Sequence, residues 1–284
     1  MKIIRSNRFF QQQTQASRLL GYPIVLVPTM GCLHEGHRTL IQRARRLAKS
    51  KGSVIVSIFV NKIQFGPNED FKKYPRTIKR DTALCREAGA DIIFVPSDGQ
   101  IYDETHSTFV VESHFTKQME GASRPTHFRG VTTIVAKLFN LIQPNIAVFG
   151  AKDWQQTAVI RQMTTDLNFP IRIVVVPTVR EKDGLAISSR NIYLSPTERQ
   201  QATVLYKAIQ TARMDIKNAN APIPANVLRR KLSRLVDKQH LTKIDYIEFF
   251  EPKTLKPAML VSSGTHLALA VLFGSTRLID NGRL

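Results

Sequence analysis

Two histidines three positions apart, His34 and His37, are the residues whose types and spacing best suit chemistry. They follow a glycine-bearing segment, residues 29–33, that comes directly after the apolar run 24–27. Because an amphipathic stretch at 40–48 comes next, the order predicts a strand, a turn and a helix. A helix N-terminus attracts anions through its unpaired N–H groups and its dipole. The pattern favours a phosphate chain as ligand, although a His-x-x-His pair alone is often structural.

A second segment suited to binding contains Gly150, Ala151, Lys152 and Asp153, just past an apolar run. The glycine lets a ribose or phosphate approach the backbone, the lysine supplies a point charge, and the carboxylate accepts hydroxyl groups. A simple turn with a Lys–Asp surface pair would give the same sequence, so both interpretations stay open.

A third segment, Ser188-Ser189-Arg190-Asn191, combines two hydroxyls with a guanidinium. These groups suit phosphate oxygens, and a loop of this kind can close over a site. The alternative interpretation is a polar hinge.

Uncharged amides at Asn61, Gln64 and Gln156 suit the orientation of a small hydroxy acid without neutralising its carboxylate. Asp81 is a candidate magnesium carboxylate, but a single aspartate on a helix is usually solvated. We therefore expect Asp81 to face solvent.

The elements that must position these residues alternate between apolar runs and helical patterns. Predicted strands cover residues 24–27, 54–60, 91–95, 109–112, 146–149 and 171–176, and predicted helices cover 39–50, 78–88, 131–142 and 155–167. Continuous Val/Ile runs are typical of strands buried on both faces. The sequence thus predicts an α/β fold with a parallel, Rossmann-like sheet, in which ligands bind at the carboxyl ends of the strands.

The pattern changes near residue 180. Helical stretches from Ser195 and over residues 225–237 are followed by strand-like runs at 244–250 and 266–273. Ser195 to Glu198 resembles a capping box with proline at the first helical position. We predict a domain over residues 1–180 and a smaller C-terminal α+β domain over 181–284.

Composition limits the function classes. The 284 residues carry 41 Lys+Arg against 22 Asp+Glu, a formal charge of +19. A net positive charge of this size is typical of proteins that bind nucleic acid. Here, however, the charges are dispersed over helical patterns, which favours solvent-exposed helix faces instead. The sequence has no apolar run of the ~18 residues that a membrane span needs and no secretion signal at its start. We expect a cytoplasmic protein with two reduced cysteines, no nucleic-acid partner and no membrane partner.

Taken together, these segments closely resemble the pantothenate synthetase (pantoate–β-alanine ligase) family. The matching residues are 28–31 (PTMG), 33–37 (LHEGH), 56–61 (VSIFVN), 64–65 (QF), 74–77 (YPRT), 120–125 (EGASRP), 127–131 (HFRGV), Gly150, 152–153 (KD), 155–156 (QQ), 183–186 (DGLA) and 188–191 (SSRN). Residues 245–246 and 251–252 are similar to the family's C-terminal domain. The motifs are long, ordered and spread over residues 24–200.

The resemblance implies a Rossmann-like nucleotidyltransferase fold, a homodimer, and ATP-dependent condensation of (R)-pantoate with β-alanine through a pantoyl adenylate. It implies that the 1–180 domain binds ATP and pantoate and that the 181–284 domain is a lid. ATP and Mg²⁺ are the expected cofactors, with no metal ligands assigned.

Site residues follow from the same resemblance. His37, His34, Lys152 and Arg190 are the expected catalytic residues, and Asn61, Gln64 and Gln156 are expected to bind substrate, with Gln64 near β-alanine. The expected nucleotide-binding residues are Met30, Gly31, Cys32, Leu33, His34, Glu35, Gly36, His37, Gly150, Ala151, Lys152, Asp153, Val179, Ile187, Ser188, Ser189 and Arg190.

Four positions depart from the family pattern: Lys62-Ile63 after Asn61, Cys32, Ala151 and Trp154. None of them removes a group with an expected chemical role. Two alternatives stay open at this point. One is another adenylyltransferase of the same superfamily acting on a different acid, and the other is a nucleic-acid-binding module.

Overall fold

The chain forms two units. A computed structural model describes residues 1–67 and 69–284, with the side chains of residues 13, 16 and 17 outside the described set. The first unit contains Met1–Ala151 and Val159–Pro177, and the second contains Lys152–Ala158 and Thr178–Leu284. The predicted division at residue 180, with its nucleotide-binding and lid roles, stays a prediction.

Within the described residues, six parallel strands form the sheet of the first unit. They are β1 (Lys2–Ile4), β2 (Ile24–Thr29), β3 (Ser53–Ile58), β4 (Ile92–Phe94), β5 (Ile146–Gly150) and β6 (Arg172–Val176). Their spatial order is β1-β4-β3-β2-β5-β6. Chain order therefore reverses at β2, which pairs with β3 on one side and β5 on the other. The predicted α/β, Rossmann-like class is confirmed.

Helices cover the strands of this sheet. They are α1 (Asn7–Leu19), α2 (Glu35–Ala48), α3 (Ile78–Ala88), α4 (Asp98–Ile101), α5 (Glu120–Ser123), α6 (His127–Ile142) and α7 (Trp154–Asp166). The apolar stripe of α2 includes the buried residues Ile41, Ala44 and Ala48, at the three- and four-residue spacing of one helix face. Helix α6 is buried along most of its length, as its apolar sequence requires.

The second unit packs helices on an antiparallel sheet. Its elements are α8 (Pro196–Gln201), α9 (Val204–Asn218), β7 (Ile223–Pro224), α10 (Ala225–Asp237), β8 (Thr242–Phe250), β9 (Leu260–Val261), β10 (His266–Phe273) and β11 (Thr276–Arg283). The sheet order is β11-β10-β8. The predicted capping box is confirmed, since Ser195 Oγ accepts from Glu198 N and Glu198 Oε2 accepts from Ser195 N, with Pro196 inside the first turn.

The predicted strand at 109–112 is wrong. Within the described residues this segment belongs to no strand. Helix α6 supplies its hydrogen bonds instead: Val110 N donates to Thr133 Oγ1 at 3.1 Å, and Thr132 Oγ1 donates to Val110 O at 2.6 Å. Two threonine side chains thus replace a neighbouring strand, which local β propensity does not reveal.

Sequence patterns also missed β1, α1 and β11, and α2 begins four residues before the predicted start. Cys32 and Cys85 are free cysteines, and both are buried. In the described part of the chain, no helix is both long and apolar enough to cross a membrane.

Candidate active site

The reversal of chain order at β2 marks the place where open parallel sheets bind ligands. The turn after β2 leads into α2 with His34 and His37, and the adjacent β5 ends at Gly150. Asn61 and Gln64 follow the end of β3, on the other side of β2. The first unit therefore brings three of the predicted segments to one edge of its sheet.

His34 and His37 face each other at the N-terminus of α2. Their ring centroids lie 4.1 Å apart, and the two residues form a capping box at the helix start. The backbone N–H of His34 donates to His37 Nδ1 at 3.3 Å. Because that nitrogen accepts, a neutral His37 carries its proton on Nε2. His37 is thereby set as a hydrogen-bond donor.

Gly36 leaves room for this pair. A Cβ atom at Gly36 would stand 2.9 Å from Cε1 of His34, closer than side chains tolerate. The glycine of the LHEGH motif therefore serves the packing of the His34 ring.

Asp81 contradicts the expectation of a solvated side chain. It is 1% exposed and accepts from Cys32 N at 3.0 Å, Leu33 N at 2.8 Å and Thr77 Oγ1 at 3.0 Å. These hydrogen bonds offset the cost of its burial. The backbone donors of Cys32 and Leu33 are thus directed at a carboxylate of the protein itself.

The amides after β3 form a buried network. Asn61 Nδ2 donates to Gln64 Oε1 at 3.1 Å and to Gly130 O at 2.9 Å, while Gln64 Nε2 contacts Met30 Sδ at 3.0 Å. Asn61 is 1% and Gln64 7% exposed. Three predicted site residues, Met30, Asn61 and Gln64, are therefore in direct contact.

The predicted residues after β5 are held within the second unit by groups that sequence reasoning missed. Asn281 Nδ2 donates to Lys152 O at 2.7 Å, and Asn281 Oδ1 accepts from His266 Nε2 at 3.1 Å. Trp154 stacks on the His266 ring with centroids 4.2 Å apart and donates Nε1–H to Pro252 O. The Trp154 departure from the family pattern thus has a packing role.

The loop with Ser188, Ser189 and Arg190 also lies in the second unit. Ile187 N donates to Val179 O at 3.0 Å, which closes a hairpin-like turn, and Ser188 Oγ accepts from Arg190 N at 3.2 Å. Arg180 anchors the base of this turn through two hydrogen bonds to Asp280, at 2.6 and 2.9 Å. Val179, Ile187 and the 188–190 segment are therefore neighbours, while loop closure stays a prediction.

The remaining predicted residues are placed by their position in the chain. Glu35 is exposed, Gln156 is half-buried on α7, and Ala151 and Asp153 are half-buried in the 3₁₀ turn before α7. Among residues 1–67 and 69–284, no group of three or more His, Cys, Asp and Glu side chains is arranged to hold a metal ion. Asp81, committed to backbone donors, does not fit a magnesium ligand.

Comparison with known proteins tests the resemblance. A sequence model of the family described as Pantoate-beta-alanine ligase matches residues 2–283. The chain belongs to this family.

Named members of the ligase family are similar over their full length. The pantothenate synthetase of Moorella thermoacetica is 47% identical, covering 99% of this chain and 98% of that protein. That of Heliobacterium modesticaldum is 46% identical, with the same coverage. The ligase therefore spans nearly the whole length of these two relatives.

Solved structures of the family have the same fold. The crystal structure of pantothenate synthetase from Thermus thermophilus matches with a TM-score of 0.90 and 41% identity, over 100% of this chain and 99% of that one. The Francisella tularensis pantoate-β-alanine ligase, complexed with β,γ-ATP and β-alanine, matches with a TM-score of 0.81 and 32% identity, over 100% and 97%. The fold and family predicted for the ligase are confirmed.

A partly buried charge cluster of the ligase contacts the backbone of Gln64. His127 Nδ1 lies 3.0 Å from Gln64 O, and because a carbonyl only accepts, Nδ1 carries the proton. Arg124 Nε donates to Glu69 Oε1 at 2.8 Å, and its Nη2 reaches Gln64 O at 3.4 Å. The family motifs EGASRP and HFRGV supply this support, but no local pattern shows what they contact.

Titration differs between the members of this cluster. Burial, aided by the Arg124 cation, lowers the pKa of His127 from 6.5 to about 4. Burial works to raise the pKa of Glu69, but the Arg124 guanidinium outweighs it and holds that pKa below its usual value. His127 is therefore neutral at pH 7 beside a paired Arg124–Glu69.

Two buried histidines, His127 and His266, are expected to make the stability of the ligase fall in mild acid. Burial also lowers the pKa of His266 from 6.5 to about 4. The unfolded chain binds protons at both positions between pH 6.5 and 4 while the folded protein does not, so stability is full above pH 6.5 and falls as pH falls. Each histidine accounts for about 2 kcal/mol of this loss at pH 5.

Urea unfolding at pH 7 and pH 5 measures this effect. The urea midpoint should fall between pH 7 and pH 5 in the parent protein, and His127→Gln is expected to make this fall smaller. Glutamine keeps an N–H donor for Gln64 O but does not titrate. His240, which is exposed, supplies the matched control His240→Gln with an unchanged drop. Equal drops in His127→Gln and the parent protein would refute the prediction.

Proposed function

We propose that this ligase condenses (R)-pantoate with β-alanine, driven by cleavage of ATP to AMP and pyrophosphate. The pantoate carboxylate attacks the α-phosphate of ATP and pyrophosphate leaves, giving pantoyl adenylate. The β-alanine amine then attacks the pantoyl carbonyl and displaces AMP, forming the amide bond. The observation that carries the proposal is the His34–His37 pair at the reversal point of the sheet, in a chain similar to pantothenate synthetases from end to end.

His37 is proposed as a catalytic residue of the adenylation step. Its Nδ1 accepts from the backbone N–H of His34, so a neutral His37 carries its proton on Nε2 and donates from that atom. Negative charge grows on the pyrophosphate as the α-phosphate bond breaks. A donor fixed before the reaction stabilises that charge without having to reorient. His34, packed against the same ring, is proposed to contact the phosphate chain beside it.

Gln64, Gln156 and Asn61 are proposed to bind the acid. Amide groups orient a carboxylate and a hydroxyl without neutralising the nucleophile, which must keep its charge to attack. Gln64 is held at its backbone by His127 and at its side chain by Asn61, so its position is fixed before the substrate arrives. The neighbouring β-alanine position is proposed to lie near Gln64.

Several residues of the second unit are proposed as nucleotide-binding residues. Lys152 and Arg190 supply positive charge for the phosphates, Ser188 and Ser189 supply hydroxyls, and Asp153 suits the ribose hydroxyls. The backbone N–H of Ile187 donates a hydrogen bond to Val179 O. Both residues are proposed to contact the nucleotide through the backbone. Gly150 and Ala151 are proposed to allow close approach of the ribose.

ATP is proposed to enter as its magnesium complex. Mg²⁺ is commonly bound through substrate phosphates, water and one or two carboxylates rather than by a dedicated protein cage. The ion therefore belongs to the substrate in this proposal. We also propose the homodimer that the family resemblance implies and the cytoplasmic location that the sequence suggests.

Product formation tests the function directly. Mass detection of pantothenate, AMP and pyrophosphate from (R)-pantoate, β-alanine and Mg·ATP is expected, and omission of any one substrate abolishes it. Pantoate-dependent exchange of pyrophosphate into ATP, without β-alanine, tests the adenylate. Folded protein that exchanges pyrophosphate only with a different acid would overturn the proposal in favour of another adenylyltransferase.

Gln156→Ala is expected to raise the KM for pantoate about tenfold or more, because a lost hydrogen bond to a charged group costs about 1.5–3 kcal/mol. The KM for ATP should change little. Steady-state kinetics with each substrate varied in turn measures both. Gln162→Ala, on the same helix α7 with its side chain bonded to Asp166, is the matched control. Equal effects on the two KM values would count against a role in acid binding.

A further inference from the structure

The turn between β2 and α2 has an unusual backbone. Gly31 has φ +85° and Cys32, which is not glycine, has φ +50°. A residue with a side chain in this left-handed region costs about 1 kcal/mol or more. The turn persists because its surroundings hold it in place.

One side chain from helix α3, distant in sequence, stabilises this turn. Asp81 on α3 accepts the successive backbone N–H groups of Cys32 and Leu33, one on each carboxylate oxygen. Successive N–H groups in such a turn form a concave site for an anion. The carboxylate fills that concavity so closely that a Cβ atom on Gly31 would stand 3.1 Å from Asp81 Oδ2.

We propose that Asp81 is a positioning residue for the adenylation step: its carboxylate occupies the anion site of the glycine turn and thereby fixes the start of α2. This inference rests on the proposed function of His34 and His37. Substrate phosphate is kept from the N–H groups of Cys32 and Leu33 and is left to the imidazoles one residue further on. In this proposal the turn orients His34 and His37, and these two side chains contact the phosphate.

This role needs both carboxylate oxygens of Asp81 as hydrogen-bond acceptors. An amide of the same shape has one acceptor and one donor, so in Asp81→Asn one backbone N–H faces an NH₂ group. The turn must then shift, and His34 and His37 shift with it. A displacement of about 1 Å at groups that stabilise a transition state costs about 10²-fold in rate.

Asp81→Asn is expected to lower pantoate-dependent pyrophosphate exchange by about 10²-fold with the KM for β-alanine within threefold of the parent, while circular dichroism and cooperative unfolding are retained. Thr77→Val is the matched control, because it removes the third hydrogen bond of Asp81 but leaves both backbone donors paired. It should keep exchange within a fewfold of the parent.

Chemical rescue separates positioning from a general loss of stability. Asp81→Ala leaves two converging N–H groups and space for a small carboxylate, so formate is expected to raise exchange at least tenfold, whereas chloride at equal ionic strength is not. His37→Ala should gain nothing from formate. Failure of rescue in a folded Asp81→Ala protein, or near-parent exchange in Asp81→Asn, would overturn the proposal.

A measurement independent of turnover keeps this inference distinct from the proposed function. In ¹⁵N-histidine-labelled protein, the His37 Nδ1 resonance reports its hydrogen bond from His34 and should move in Asp81→Asn but not in Thr77→Val. If the parent protein shows no pantoate-dependent exchange, the proposed function fails while this readout still stands. If the His37 resonance does not move in Asp81→Asn, the positioning role of Asp81 is wrong, whether or not the parent protein is active.

Discussion

Replacement of His37 by alanine is expected to lower kcat for pantothenate formation by about 10²-fold or more, as the loss of one preorganised donor does in other enzymes. The effect should lie in the adenylation half-reaction, where charge grows on the pyrophosphate. The fold should persist, because His37 is only half-buried at the start of α2. Pyrophosphate exchange and amide formation from preformed pantoyl adenylate, measured separately, locate the loss.

His240→Ala is the matched control, since His240 is exposed on the second unit and has no proposed role. Its kcat should equal that of the parent. His37→Gln adds a sharper comparison, because glutamine has an N–H donor on a flexible chain without the bond that orients it. Partial activity in His37→Gln with little in His37→Ala would support donation from Nε2–H. Near-normal kcat in His37→Ala would remove His37 from the mechanism.

Gly130→Ala is expected to damage both stability and pantoate use, although alanine normally favours a helix over glycine by about 1 kcal/mol. The reason is the close approach of α6 to the 3₁₀ turn Lys62–Gln64. A Cβ atom on Gly130 would lie 2.5 Å from Gln64 Cα and 2.6 Å from Gln64 N. Overpacking of this kind costs about 1–3 kcal/mol, and it displaces Gln64 itself.

The expected result is a lower urea midpoint together with a fall of about 10²-fold in kcat/KM for pantoate, since small displacements of positioning groups have effects of this size. Gly99→Ala is the matched control: Gly99 lies in the helix α4, and a Cβ atom there meets nothing within 4 Å. That variant should be as stable as the parent or slightly more so. A Gly130→Ala protein with unchanged pantoate kinetics would show that Gln64 does not need its present position.

Local patterns predicted the parts of this ligase that depend on neighbours in sequence. Val/Ile runs marked β2, β3 and β5 because strands buried on both faces tolerate little else. The predicted bounds of α3 and α10 were also confirmed, and α3 ends at Ala88, just before Gly89, whose φ of +94° suits glycine. The placement of His34 and His37 together could likewise be predicted, because it follows from their three-residue spacing at the start of a helix.

Contacts distant in sequence were beyond these patterns. Asp81 meets Leu33 across 48 residues, and His127 meets Gln64 across 63. An aspartate on an amphipathic helix looks solvated until the partner turn is known. The segment 109–112 misled for the same reason, because threonines of α6 replaced the strand partner that its composition suggested.

The course of the chain through the second unit has a consequence for folding order. Lys152–Ala158 belongs to that unit although β5 precedes it and β6 follows it in the first. The Lys152–Asn281 hydrogen bond therefore closes a loop across 129 residues. Contacts between such distant residues form late, because a long loop must be closed before they stabilise anything. We therefore expect Lys152 to take its final position only after β11 has been synthesised, and we expect a nascent chain that still lacks this strand to be inactive.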